Sequence, residues 1–261
     1  MTLVAQRSVS PEEFDRAEWE YRQEETLEDM SESTGSQFQR SITDFSLTLL
    51  RTRHSPHLAV FGELLVLYPF DNKVRRVVPD NFVTLGLPPV ERSIYSFRVN
   101  ETNRPFWVLE YVSEPTQNKD YNESFVKYEE HLQVPYCTLF HPETKRLSMF
   151  AHDGTGYQEM SVDSQGRFLI PELELRVGLL GGWLRYWHRD ELLPTALELE
   201  ELQLQQGERI QEQARALAES KQRELNRVVR LAARVGRSDI VNLAPQATLE
   251  QLQSWLDELL G

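Results

Sequence analysis

Two short apolar runs separated by an amphipathic helix most constrain the fold of this chain. Residues 106–112 and 136–140 have the length and apolar character of buried strands. The helical segment between them, residues 120–131, places its apolar side chains on one stripe with the residue that follows it: Tyr121, Phe125, Tyr128 and Leu132. Strand–helix–strand order is typical of a parallel crossover, so the sequence predicts an α/β fold with a central mixed β-sheet flanked by helices.

Two β-hairpins are predicted on either side of this crossover. The first pairs a long strand at residues 57–70 with another at 74–85, because residues 71–72 are typical turn residues. The second pairs residues 147–151 with 157–162 across a glycine-containing loop.

A helix is predicted over residues 36–53, since Phe38, Ile42, Phe45 and Leu49 recur at spacings of four, three and four. We expect this apolar stripe to cover the sheet. An earlier short helix should start near Ser10, and the apolar, tryptophan-containing residues 171–187 should close the domain.

The C-terminal part of the chain has a different composition. Residues 197–235 are rich in Glu, Gln, Arg, Leu and Ala with coiled-coil-like apolar spacing, so they predict one long helix. Thr248 and Gln251 form a capping box for a last helix, in which Trp255 should be buried. The two helices could pack on each other, or the long helix could bind a second copy or another protein.

Length and composition place these segments in three parts. A chain of 261 residues can bury one core of roughly 150 to 200 residues plus an appendage. We predict a polar N-terminal segment at 1–34, a compact α/β domain at 35–194 and a helical tail at 195–261. The start of the chain does not resemble a signal peptide, and its apolar runs are shorter than a bilayer span, so we expect a soluble, cytoplasmic protein.

Asp80 and Glu110 are the candidate functional residues, because each carboxylate interrupts an apolar strand-like run. Buried carboxylates need partners, so two of them on neighbouring strands suggest a divalent-metal site. The alternative is that either acid lies at a solvated strand end. The single cysteine, Cys137, lies in an apolar stretch and is predicted to be a core residue rather than a nucleophile.

The net charge of −13 argues against tight binding of nucleic acid, which depends on basic residues that neutralise phosphates. The basic residues occur only in small groups, such as those at residues 51–57 and 73–76. A local basic face is still compatible with this composition.

An ordered set of motifs resembles the bacterial restriction-endonuclease-like family of the PD-(D/E)XK nuclease superfamily. It comprises Pro79-Asp80, Glu110 in its apolar run, residues 120–128 and Val134-Pro135-Tyr136, and the similarity spans residues 61–187. The resemblance implies a restriction-endonuclease-like core in which Asp80 and Glu110 hold Mg²⁺ or Mn²⁺ and a lysine positions or activates the attacking water.

The lysine of this pattern is not at its usual place. Val112 stands two residues after the second acid, and Ser124 occupies the position that this family often uses in the following helix. Lys127, one turn further along, is the remaining candidate, although a solvated lysine is the alternative. Glu32 and Glu63 are weak candidates for a third acid.

Two functions therefore follow from the sequence. The first is a Mg²⁺-dependent endonuclease acting on DNA through Asp80, Glu110 and Lys127, or a degenerate descendant of one. The second is a non-catalytic interaction protein that keeps the nuclease fold and binds a partner, or a second copy of itself, through the helical tail.

Overall fold

The computed structural model describes residues 9–24, 34–54, 58–86, 95–96, 104–112 and 120–260. The helices are α1 Pro11–Glu24, α2 Thr34–His54, α3 Asp120–Val126, α4 Ala196–Arg234, α5 Ser238–Leu243 and α6 Leu249–Leu260. The strands are β1 Leu58–Gly62, β2 Val66–Phe70, β3 Lys73–Val77, β4 Asn81–Leu85, β5 Tyr95–Ser96, β6 Pro105–Tyr111, β7 Tyr136–His141, β8 Arg146–His152, β9 Tyr157–Glu159, β10 Arg167–Ile170, β11 Leu175–Leu180, β12 Trp183–His188 and β13 Glu191–Leu192.

The chain divides into two compact units, Met1–Ala196 and Leu197–Gly261. Within the described residues, no helix is long and apolar enough to cross a membrane.

The predicted mixed sheet is confirmed. It has six strands in the order β1-β4-β6-β7-β8-β9. The β6 and β7 strands are parallel, with α3 between them in the chain, while the other neighbouring pairs are antiparallel. A π-helical turn, Lys127–His131, extends α3 and buries Tyr128. Leu132 and Cys137 are also buried, as predicted, whereas the side chain of Tyr121 lies outside the described residues.

The first predicted hairpin forms, but its two strands are not continuous. Between β1 and β2 the chain leaves the extended conformation at Glu63, whose backbone φ is 47°. Between β3 and β4 lies Pro79, which has no N–H to donate to a neighbouring strand. The outer halves, β2 and β3, pair through a turn in which Asp71 and Asn72 are both left-handed. The inner halves, β1 and β4, pair in the central sheet. One hairpin thus supplies two sheets, and Asp80 lies at its break.

The α2 helix forms as predicted and buries Ile42 of the predicted stripe, but its buried face is shifted toward polar residues. Phe38 remains 45% exposed, whereas Gln39 and Thr43 are fully buried. Gln39 exchanges two hydrogen bonds with the backbone of Leu184, and the Thr43 hydroxyl is hydrogen-bonded to the Tyr186 hydroxyl at 2.8 Å. Burial of these polar side chains is tolerated because their hydrogen bonds are satisfied.

Residues 167–192 form a separate four-stranded antiparallel sheet, β10-β11-β12-β13, where the sequence indicated only a closing apolar stretch. α2 packs against both β1 and β12. Side chains from α2, the central sheet and this second sheet form one apolar cluster that includes Leu50, Trp107, Phe140, Leu175 and Tyr186.

The C-terminal unit has a core of its own. The end of α4 contributes Val228 and Ala232, and α6 contributes Leu252 and Leu256. The predicted capping box forms, because Thr248 and Gln251 exchange backbone and side-chain hydrogen bonds. Trp255 was expected to be buried but is only partly buried at the edge of this core. The apolar residues at the end of α4 are therefore buried by packing within this unit.

Candidate active site

Asp80 and Glu110 come from neighbouring antiparallel strands. Asp80 immediately precedes β4, and Glu110 lies near the end of β6. Asn81 pairs with Leu109, so the next step of the register places Asp80 opposite Glu110. Asp80 acts on the pKa of Glu110 through its charge, its side chain and its backbone, so the two residues are close neighbours. The structure brings together the two acids that the sequence singled out.

The Asp80 carboxylate is held by two further donors. The backbone N–H of Tyr111 donates to its Oδ2 at 2.6 Å, and the Nη2 of Arg40 donates to its Oδ1 at 3.1 Å. Arg40 also forms an ion pair with Glu63. The Arg40 side chain is only 13% exposed, so this guanidinium is a mostly buried counter-charge between two carboxylates.

Burial raises the pKa of Glu110 well above its ordinary value, and the negative charge of Asp80 raises it further. The hydroxyl of Tyr128 donates a hydrogen bond to Glu110, which lowers this pKa in part. Tyr128 is itself fully buried. The acid pair is therefore short of positive charge, and a bound cation would favour its ionised form.

Two converging carboxylates fit a hard cation such as Mg²⁺ or Mn²⁺. Mg²⁺ is commonly bound by one or two carboxylates, with water and substrate oxygens completing its coordination. Among the residues that the structure describes, no group of three or more His, Cys, Asp or Glu side chains is arranged to hold a metal ion. Asp80 and Glu110 are two carboxylates that could hold such a cation, and no third acid among the described residues joins them in a metal-binding group.

Lys127 lies on the π-helical turn, next in sequence to Tyr128. It lines a pocket together with Arg75 and His131. The contact that this turn makes with Glu110 comes from Tyr128 rather than from Lys127. The role predicted for Lys127 therefore stays a prediction.

Glu32 and Glu63 were the candidates for a third acid. Glu63 reaches the acid pair indirectly, since Arg40 joins it to Asp80. Its side chain is 47% exposed. Glu32 lies outside the described residues.

Sequence reasoning missed a buried polar network beside the acids. The Tyr111 hydroxyl donates to Asn81 Oδ1 at 2.7 Å, and Asn81 Nδ2 donates to Asp44 Oδ1 at 2.6 Å. Burial is the largest influence on Asp44 and raises the pKa of its carboxyl. Arg40 and Asp44 lie one helical turn apart in α2, outside the apolar stripe that the sequence singled out. The one available signal was Asn81, a polar residue inside an apolar strand.

Comparison with known proteins identifies the family of this chain. The model of the Uma2 family, described as "Putative restriction endonuclease", matches residues 11–181. No curated protein matches the chain. A solved structure from Anabaena variabilis ATCC 29413, described as "a putative nuclease belonging to DUF820", is similar at 13% identity and a TM-score of 0.40, over 56% of this chain and 76% of that chain. Because the family model spans more than half of the sequence, the chain belongs to the Uma2 family.

Proposed function

We propose that this protein is a Mg²⁺- or Mn²⁺-dependent endonuclease that hydrolyses phosphodiester bonds in DNA. The observation that carries the proposal is the convergence of Asp80 and Glu110 at the break in the first hairpin. Membership of the Uma2 family, described as "Putative restriction endonuclease", supports a nuclease rather than another metal-dependent hydrolase.

Asp80 and Glu110 are the proposed metal ligands, and a metal held there supplies Lewis-acid chemistry toward a phosphodiester. The Tyr111 backbone N–H orients the Asp80 carboxylate, and the Tyr128 hydroxyl orients that of Glu110. Lys127, on the same helical turn as Tyr128, is the proposed basic residue of the site and brings positive charge toward the substrate phosphate.

Cleavage of supercoiled plasmid DNA in Mg²⁺ or Mn²⁺ tests this function. Asp80→Asn and Glu110→Gln should each abolish nicking and weaken calorimetric metal binding, because each removes one ligand charge. Glu159→Gln is the matched control, since Glu159 is an exposed carboxylate on β9. Circular dichroism should show that all three variants fold. If the wild-type protein neither cuts DNA nor binds either metal, the proposal fails.

A second candidate function is a non-catalytic interaction through the helical tail. Its support is a set of large apolar side chains left exposed in the first part of α4: Leu197, Leu202, Leu204, Ile210 and Leu217. Exposed apolar residues repeated along one helix are typical of a surface for a second helix. We propose a second copy of this chain as the occupant, with a different protein as the alternative.

A further inference from the structure

A pocket of about 340 Å³ lies where α1 and the π-helical turn approach the β2–β3 hairpin. α1 contributes Ala17 and Glu20. The strands and the π-helical turn contribute Leu67, Tyr68, Val74, Arg75, Arg76, Lys127 and His131. A volume of this size falls at the lower end of the range for small-molecule and cofactor sites, which is about 300 to 1,000 Å³.

The lining of this pocket is basic, although the chain as a whole carries a net charge of −13. Arg75, Arg76 and Lys127 are three positive charges, and Glu20 is the one acidic residue of the lining. Within the part of the chain that the structure describes, neither Arg75 nor Lys127 forms an ion pair. Positive groups gathered in a concave site favour an anionic ligand.

His131 is held firmly within this lining. Its ring stacks on Phe70 with a centroid separation of 3.6 Å, and its Nδ1 is hydrogen-bonded to the Tyr68 hydroxyl at 3.0 Å. Burial lowers the pKa of His131, and the charges of Arg75 and Lys127 lower it further, while Glu130 on its own turn raises it. An anion placed among these groups would relieve the repulsion between them.

The pocket and the acid pair share one element. Lys127 and His131 line the pocket, while Tyr128, on the same π-helical turn, contacts Glu110. We propose that this pocket binds a phosphate group, supplied by the backbone of a nucleic-acid strand, and so positions the strand whose cleavage we assign to Asp80 and Glu110. The inference deepens the proposed function and rests on it for the identity of the strand.

Binding without metal tests the pocket separately from catalysis. In EDTA, fluorescence anisotropy with a labelled single-stranded DNA oligonucleotide should show binding that inorganic phosphate weakens by competition. Arg75→Ala and Lys127→Met should each weaken this binding by about tenfold, because each removes a charge-assisted hydrogen bond. Arg75→Lys should retain most of the affinity, since it keeps the charge at an exposed position where the fold tolerates change.

Arg146→Ala is the matched control, because Arg146 is an exposed arginine on β8 outside the pocket. It should change DNA affinity by less than about twofold. The His131 ring resonances, followed by NMR during a titration with inorganic phosphate, should shift in the wild-type protein and not in Arg75→Ala.

The binding of DNA and the binding of inorganic phosphate distinguish the two sources of the phosphate group. Loss of both DNA and phosphate binding in Arg75→Ala supports a pocket for the nucleic-acid backbone. Loss of phosphate binding alone overturns the backbone as the source and assigns the pocket to free phosphate. Unchanged binding of both overturns the pocket, even if the wild-type protein cuts DNA. Because these measurements contain no metal, an absence of cleavage overturns the proposed function without altering this result.

Discussion

The hydroxyl of Tyr128 donates a hydrogen bond to the carboxylate of Glu110. This contact joins the π-helical turn after α3 to β6 and helps to hold a buried acid whose pKa is raised by burial. It also means that the crossover helix, which the sequence places on the sheet for packing, carries part of the candidate site.

Tyr128→Phe should lower the free energy of unfolding by about 1 to 3 kcal/mol, because a buried carboxyl loses a donor. Urea denaturation measures this change. Tyr157→Phe is the control, since the Tyr157 hydroxyl is buried and has no hydrogen-bond partner among the described residues. Removal of that hydroxyl should leave stability unchanged or slightly higher. Equal losses in the two variants would contradict the importance of the Tyr128–Glu110 contact.

Arg40→Met should destabilise the protein by about 3 kcal/mol, because it removes a mostly buried counter-charge from Asp80 and Glu63. Combining it with Asp80→Asn should cost less than the sum of the two single changes, since the second change removes the charge left unpaired by the first. A double-mutant cycle by urea denaturation measures the coupling. Strictly additive effects would show that the Arg40–Asp80 ion pair contributes nothing to the free energy of unfolding.

Mg²⁺ should restore part of the stability that Arg40→Met loses. The cation can replace the missing guanidinium charge beside Asp80 and Glu110 if these two acids are metal ligands. Thermal unfolding with and without Mg²⁺ measures the effect. In Arg40→Met/Asp80→Asn/Glu110→Gln, the same Mg²⁺ concentration should give no stabilisation.

Asp44→Asn should have a pH-dependent effect on stability. Burial raises the pKa of Asp44 above 3.8, its ordinary value, so the folded state retains this proton to a higher pH than the unfolded chain does. The unfolded state therefore gains more from ionisation, and stability falls as pH rises from 3.8 through the folded-state pKa.

The asparagine variant keeps an acceptor for Asn81 and avoids this loss. Its stability relative to wild type should thus increase between about pH 3.5 and pH 7, as measured by urea denaturation across that range. A difference between the two proteins that is independent of pH would show that Asp44 titrates normally.

The exposed apolar residues of α4 should determine the assembly state. If a second copy covers them, Ile210→Glu or Leu217→Glu in the full chain should convert a dimer into a monomer, because each places a charge in the apolar contact. Light scattering gives the mass. Gln206→Glu is the control at an exposed polar position of the same helix. A wild-type protein that is already monomeric would refute the dimer.

Local patterns of the sequence were sufficient for the parallel crossover at the centre of the sheet. Apolar runs of strand length around the amphipathic segment 120–131 required a crossover, and β6 and β7 are indeed parallel. Turn residues 71–72 predicted the hairpin, and capping residues predicted the start of α6. Each of these features depends on residues close together in the chain, so the one-dimensional pattern determines it.

The acids Asp80 and Glu110 could be singled out from the sequence because a carboxylate inside an apolar run is unusual. Their partners could not. Arg40 lies 40 residues before Asp80, and Tyr128 lies 18 residues after Glu110. The buried face of α2 depends on hydrogen bonds with β12, more than a hundred residues later. Polar side chains can be buried only where a partner is present, and tertiary packing decides where the partners meet. The sequence by itself determined the parallel crossover and singled out the two acids, whereas the tertiary structure decided how the hairpin divides between two sheets and which charges and donors surround the acids.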